Sequence, residues 1–560
     1  MTGGMCWHPA RRPVILVGTC LRPPPPGFPP MPLSRPLVAF VIALLPATAG
    51  ADEPLRATID AELKAGWGKH GLTPAPRSAD GEFLRRVTLD LVGTVPTHDE
   101  AVAFLADASP TKRAALIDRL LADPRFGTAQ ATVWDMVLFG RNPGNIENTR
   151  KRDTFKAWLG TQFAGNVPYD AWVRDLLLAE KPGSELFLVQ FRNQPEEAAV
   201  VVSKTLLGTQ LQCARCHDHP YDKWTQKDFF GLAGFFVRLV VQESGSGAAR
   251  TFTVGEKGTG EVLFSGAAKD QAPGKKGEPV RPKFLGGAVL DEPPGPKDAK
   301  EPAPKDGTKL PKPAFSRKEK LAGWVAAKDN PYLAKAAANR VWAQFMGRGV
   351  VHPVDDFHAE NAPTHPALLA ALADGLAAHG FDLKWLMREI VNSEAYQLAL
   401  AGPTREASPK WFERARVRPL SAEEMLAAMR VATGFDAAAK PGDKPPDVGA
   451  DYFLRAFGEP TNGLGEFQGS LGEHLFLNNS EHVRRLVVRK KGNLLDTVAA
   501  SADPVEKKVE RLFLSVLNRR PNPTEAEAVA KYLARKEKPE AAVEDVIWVL
   551  LNGSEFRFNH

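Results

Sequence analysis

The sequence predicts a mainly α protein: two helical domains with a small β-hairpin or irregular insert between them. Three observations predict it. Apolar residues recur at helical spacing on both sides of the chain's middle. Capping signatures of the S/T-x-x-E type open several of those stretches. The middle, residues 241–315, loses large apolar residues and gains Gly, Pro and Lys. At 560 residues the chain is long enough for more than one core. A hydrophobic fraction of 43% excludes a disordered chain. The net charge of +6 is interleaved with acidic residues along most of the length, which speaks against a nucleic-acid partner.

Residues 1–51 read as an upstream extension followed by a signal peptide, with Met31 as the start. Met31-Pro-Leu-Ser-Arg35 supplies a positive n-region, Leu37 to Leu45 an apolar h-region, and Ala47-Thr-Ala49 or Ala49-Gly-Ala51 a small-x-small cleavage site. The apolar run is too short to span a bilayer as a stable anchor, so no transmembrane span is expected in the mature chain; an uncleaved N-terminal anchor is the alternative. The expected location is extracytoplasmic, periplasmic or secreted.

Residues 52–240 form the first helical region. Thr97-His-Asp-Glu100 is a capping box, and Ser109-Pro110 places a capping residue before a helix-starting proline. Ala114, Ile117, Leu120 and Leu121 make one apolar face. Phe155 to Trp158, then Trp172, Leu176 and Leu177, give further amphipathic helices, and Glu196 to Gln212 reads as a longer one leading to Cys213. In the insert, Arg250 to Val254 and Glu261 to Phe264 alternate and predict a hairpin, while Glu292 to Pro313 reads as a linker. An exported basic loop of this kind would suit an acidic polysaccharide.

Residues 316–560 form the second helical region. Thr364-His365-Pro366 opens a helix bearing Leu368, Leu369, Leu372 and Leu376, closed by Gly380. Leu383, Leu386 and Ile390 form the next, and Ser421-Ala-Glu-Glu424 caps another that stops at Gly434. Val509 to Phe556 carries two more, and Trp324, Trp342 and Trp385 are expected in the core.

The strongest chemical signal is Cys213-Ala-Arg-Cys216-His217. Two thiols at this spacing can add to the two vinyl groups of one haem, and the adjacent imidazole can then ligate the iron. The other two of the chain's 4 cysteines, Cys6 and Cys20, precede the signal peptide. No methionine lies between Met136 and Met346, so a distal ligand would be His352, His358 or His365, or the site would be open. Two alternatives stand beside haem. Cys213, Cys216, His217 and His219 could hold Zn or another divalent metal. Cys213 and Cys216 could instead form a disulfide, which an exported location permits. Asp218 and Asp222 are either acceptors orienting the imidazoles or helix caps.

Beyond this spacing, Val202 to Trp224 closely resembles the signature of the planctomycete-type cytochrome-like domain of unknown function, a Q-C-A-x-C-H-D-H-P-[FY]-D-x-W run. Phe83-Leu-Arg-Arg-Val-Thr-Leu-Asp-Leu-Val-Gly93 resembles that family's opening motif. Asn339-Arg-Val-Trp342, Pro353-Val-Asp-Asp-Phe357, Gly380-Phe-Asp-Leu383 and Ser393-Glu-Ala-Tyr-Gln397 resemble its usual partner, the planctomycete-specific C-terminal domain of unknown function. The segment Trp134 to Gly140 departs from the family pattern, and no second C-x-x-C-H is present.

A second constellation comprises Arg340, Asp355, Asp356, His358 and His365. Paired carboxylates beside histidines could bind a hard cation or act as acid and base, with Asp355, Asp356, His365 and Arg340 as catalytic candidates. The structural alternative is a capped helix boundary held by an Asp–Arg pair. The leading expectation is an exported protein carrying covalent haem c, in electron transfer or redox chemistry with a redox partner protein. A metal-dependent enzyme acting on extracellular polymers and an envelope binding protein with a Cys213–Cys216 disulfide are the alternatives.

Overall fold

The helix Asp80–Val92 carries Arg85, Arg86 and Asp90 among Phe83, Leu84, Val87, Leu89 and Leu91, and all of them are buried. A charge is tolerated there only when it is paired or hydrogen-bonded, and each of these three reaches a distant stretch of chain. Arg85 donates to Phe556 O (2.7 Å) and Asn518 Oδ1 (3.1 Å). Arg86 donates to Tyr396 O (2.8 Å) and Leu398 O (2.9 Å). Asp90 accepts from Tyr396 Oη (2.7 Å), Arg418 Nη2 (2.9 Å) and Asn559 Nδ2 (2.7 Å). One helix near the start of the fold thus fixes the far end of the sequence.

A computed structural model describes residues 53–141, 152–264, 277–294, 312–403, 408–437, 449–457, 471–535 and 538–560. The signal peptide expected before residue 52 lies outside them. The fold is mainly α, and the strands form three small antiparallel pairs among the described residues. A first apolar core runs from Leu55 to Phe412, so the helical regions on either side of the insert share it. A second core gathers Leu420 to Phe556, with Leu89 and Val95 contributed by the first region. Trp342 is fully buried, and Trp324 and Trp385 are partly buried against the first core. No helix is long and apolar enough to cross a membrane among the described residues.

Local signals act as expected where they are local. Thr97 and Ser421 each close a complete capping box, and Gly434 ends its helix at φ 61°. Other boundaries differ. The Ser109-Pro110 helix begins later, at Lys112, and the Thr364 helix has His365 as its capping residue with Pro366 as its first residue. Among the described residues the final region holds four helices rather than two: Val505–Val516, Pro523–Arg535, Pro539–Asn552 and the one-turn Ser554–Arg557. The hairpin partners also differ: Thr251–Glu256 pairs with Leu239–Ser244, and Val262–Phe264 pairs with Glu278–Val280. Alternation marks a strand but does not say which strand it joins.

The insert is docked rather than loose. Glu256 accepts the backbone N–H of Arg317 (2.7 Å) and Lys318 (3.2 Å) at the start of the helix Arg317–Val325, where a carboxylate suits the helix dipole. The buried Arg317 guanidinium donates to Gly234 O (3.0 Å), Glu261 Oε1 (2.9 Å) and Glu292 Oε2 (2.7 Å). Residues 295–311 of the predicted linker lie outside the described residues.

Candidate functional site

The helix predicted to run to Gln212 stops at Thr205. The reason lies in the next turn: Thr209 N returns to Ser203 O (2.9 Å), and Gly208 takes φ +66°. Leu206, Leu207 and Leu211 then face the core. Cys213 therefore sits on a short 3-10 turn, Gln212–Arg215, and Cys216 is the residue that closes it. Ala214 is fully buried beneath that turn, and Trp224 is buried further along. Between these two anchors Cys213, Cys216 and His217 are exposed, and both thiols are free.

Asp218 and Asp222 hold backbone. Asp218 Oδ1 accepts the N–H of Gln226 (2.9 Å) at the start of the helix Gln226–Ala233, and Asp222 accepts from Lys223 N (2.7 Å). Asp218 thus serves a helix start as the capping alternative expects, whereas Asp222 holds only the next residue of its loop.

The two histidines of the motif differ in which nitrogen is committed. His217 Nδ1 lies 2.8 Å from Asp218 O. A carbonyl can only accept, so Nδ1 carries the proton and Nε2 keeps its lone pair for a metal. His219 Nδ1 accepts from Tyr221 N at 3.3 Å, which places its proton on Nε2. His217 Nε2 is thus left uncommitted by these contacts, whereas His219 Nδ1 is engaged in holding its own loop. Among the described residues no group of three or more His, Cys, Asp or Glu side chains gathers to hold a metal ion.

The second constellation divides in three. Asp355 is buried, accepts from Gln210 Nε2 (3.1 Å), and lies 3.8 Å from Lys204 Nζ and 3.9 Å from Arg340 Nη2. It ties the cysteine-motif segment to the helix Leu333–Met346. Asp356 instead faces His358 Nε2 at 3.5 Å. His365 stands apart, buried against Trp411 and Phe412 with Nδ1 3.1 Å from Thr364 Oγ1. The two consecutive carboxylates do not share a partner among these contacts.

Burial, with the nearby His70 in support, holds the His365 imidazole down at about 4. An unfolded chain takes up that proton near 6.5. Between the two values the unfolded state binds more protons than the folded one, so stability falls as pH is lowered through this window. His365→Gln is expected to shrink that pH dependence, measured as urea midpoints across the window.

The two motif segments meet in a cleft of ≈ 540 Å³. Pro220 to Trp224 and Thr209 form one side, Tyr332 and Phe357 to Glu360 the other. Of His352, His358 and His365, only His358 lines it. Phe357 N donates to Gly208 O (3.0 Å), and a Cβ on Gly208 would fall 2.7 Å from the Phe357 ring. Gly208→Ala is expected to cost at least about 1–2 kcal/mol from its left-handed φ alone, with more from the displaced loop, read by urea unfolding.

Residues 58–240 match the family PSCyt2, described as a protein of unknown function (DUF1549). Residues 317–452 match PSD1, also described as a protein of unknown function (DUF1553). The chain thus carries a match to PSCyt2 followed by a match to PSD1, each over less than half of its length. Searches of the curated proteins and of the solved structures each returned no match.

Proposed function

We propose that this protein is an extracytoplasmic c-type-haem protein, with Cys213 and Cys216 as the thioether links and His217 Nε2 as the axial ligand. The observation that carries the reading is the state of these three side chains. Both thiols are free and exposed on one turn, and the imidazole is held by Asp218 O in the tautomer a haem iron requires. The donor set therefore fits the group. Each link forms when a thiol adds across a vinyl group, its hydrogen going to the neighbouring carbon, so no oxidant is needed. Bound haem would supply one-electron redox chemistry.

The chain's own residues perform the positioning. Ala214 and Trp224 pin the motif loop to the core, and Asp218 serves twice, its carbonyl orienting His217 and its carboxylate holding the following helix. The signal-peptide pattern of Met31 to Ala51 supports the reading, because C-x-x-C-H haem attachment takes place outside the cytoplasm. An exposed attachment turn suits direct electron exchange with a redox partner protein.

The test is a haem stain of the protein resolved under denaturing conditions, after export from a host with c-type haem maturation. A stained band at the position of the chain is expected. A folded, exported chain with no stain would overturn the proposal.

A further inference from the structure

A cavity of ≈ 570 Å³ lies away from the cysteine motif, between the helices Asp80–Val92, Pro124–Phe139, Leu333–Met346 and Ala422–Thr433. Its size is in the range of about 300–1,000 Å³ that takes drug-sized ligands. Its walls are largely apolar, with Leu89, Val92, Val133, Met136, Ala427 and Val431 contributing.

The ionic groups on the lining are already paired. Arg418 holds Asp90 (2.9 Å) and Glu424 (2.7 Å), and Arg430 holds Asp436 (2.6 Å). Arg141 holds Glu423 (3.0 Å), and Asp123 holds Arg125 (2.7 Å). A charged ligand would have to break one of these pairs or lose its own water without compensation. The lining therefore selects for a neutral molecule.

Two polar features stand out beside these ion pairs. Gln130 Nε2 donates to the carbonyls of Asp90 and Leu91 (3.2 Å each), which fixes its amide orientation. Gln130 Oε1 must then accept, and it does so from Gln344 Nε2 at 3.0 Å. Gln344 lines the cavity half-buried, and none of its contacts among the described residues brings a protein donor to its Oε1. The buried Thr94, on the same lining, has a hydroxyl with no partner.

We propose that this cavity binds a neutral, largely apolar small molecule carrying one hydrogen-bond donor, which it presents to Gln344 Oε1. The reading is independent of haem attachment.

The probe is N-phenyl-1-naphthylamine, which is neutral, apolar and carries a single N–H. Titrated into the mature chain, it is expected to show one saturable site by fluorescence. Ala427→Phe and Val133→Phe fill the cavity from two different helices. Each is expected to weaken binding by about tenfold or more, because the apolar volume the probe needs is taken. Gln344→Leu is expected to weaken it about threefold to tenfold, the worth of one hydrogen bond. Circular dichroism establishes that each variant is folded, and either filling variant alone suffices for the test. No saturable binding to the folded wild-type chain would overturn the proposal. So would binding unchanged in a folded filling variant, or binding indifferent to Gln344→Leu.

Discussion

Replacing Asp90 by alanine is expected to destabilise the fold by about 3–5 kcal/mol, the cost of removing one partner from a buried charge network. The carboxylate collects Tyr396, Arg418 and Asn559, which come from well-separated stretches of the sequence. Its removal leaves the buried Tyr396 hydroxyl and Asn559 amide without this acceptor, while Arg418 keeps Glu424. Burial, and then the Asp90 charge, push the Tyr396 phenol well above its usual range, so it stays a donor to Asp90 throughout the physiological range. The loss appears as a lower urea midpoint. A change within about 0.5 kcal/mol, as for an ordinary surface site, would show that the network does not join the two ends of the chain.

The second large effect is on the cofactor. Cys213→Ser with Cys216→Ser is expected to abolish covalent haem and to leave stability nearly unchanged. Both side chains are exposed and free, so serine removes no burial and no disulfide. His217→Ala should separate attachment from ligation: both thioether links remain available, but the axial nitrogen is gone. The stain should persist while the absorption spectrum changes. A double serine variant that still stains would place the haem elsewhere.

The cysteine motif is visible in the sequence because it is defined by spacing alone. The capping boxes at Thr97 and Ser421 were legible for a related reason, since each is closed within four residues. What escaped was nonlocal. Leu239–Ser244 is a strand, yet its apolar start reads as the end of the helical region, and Thr251–Glu256 alternates equally well for either neighbour. The helix stop at Thr205 had a signal in Gly208, masked by the leucines around it.

Asp355 and Asp356 read alike in sequence, but one is buried against Gln210 and the other turns to His358. The pairing of Asp355 with Gln210 spans 145 residues, and no periodicity reports it. The distinction between His217 and His219 depends on single hydrogen bonds to a carbonyl and from an amide, which only the folded loop supplies. Arg85, Arg86 and Asp90 did carry a signal, three charges within an apolar helix, whose meaning emerges only once their distant partners are in place.

The most direct measurement of the central claim is the intact mass of the exported, mature protein under denaturing conditions. The expected mass is that of the processed chain plus one haem, reverting to the bare chain in Cys213→Ser/Cys216→Ser. A wild-type mass equal to the bare chain, or lower by two hydrogens as a Cys213–Cys216 disulfide requires, would contradict it.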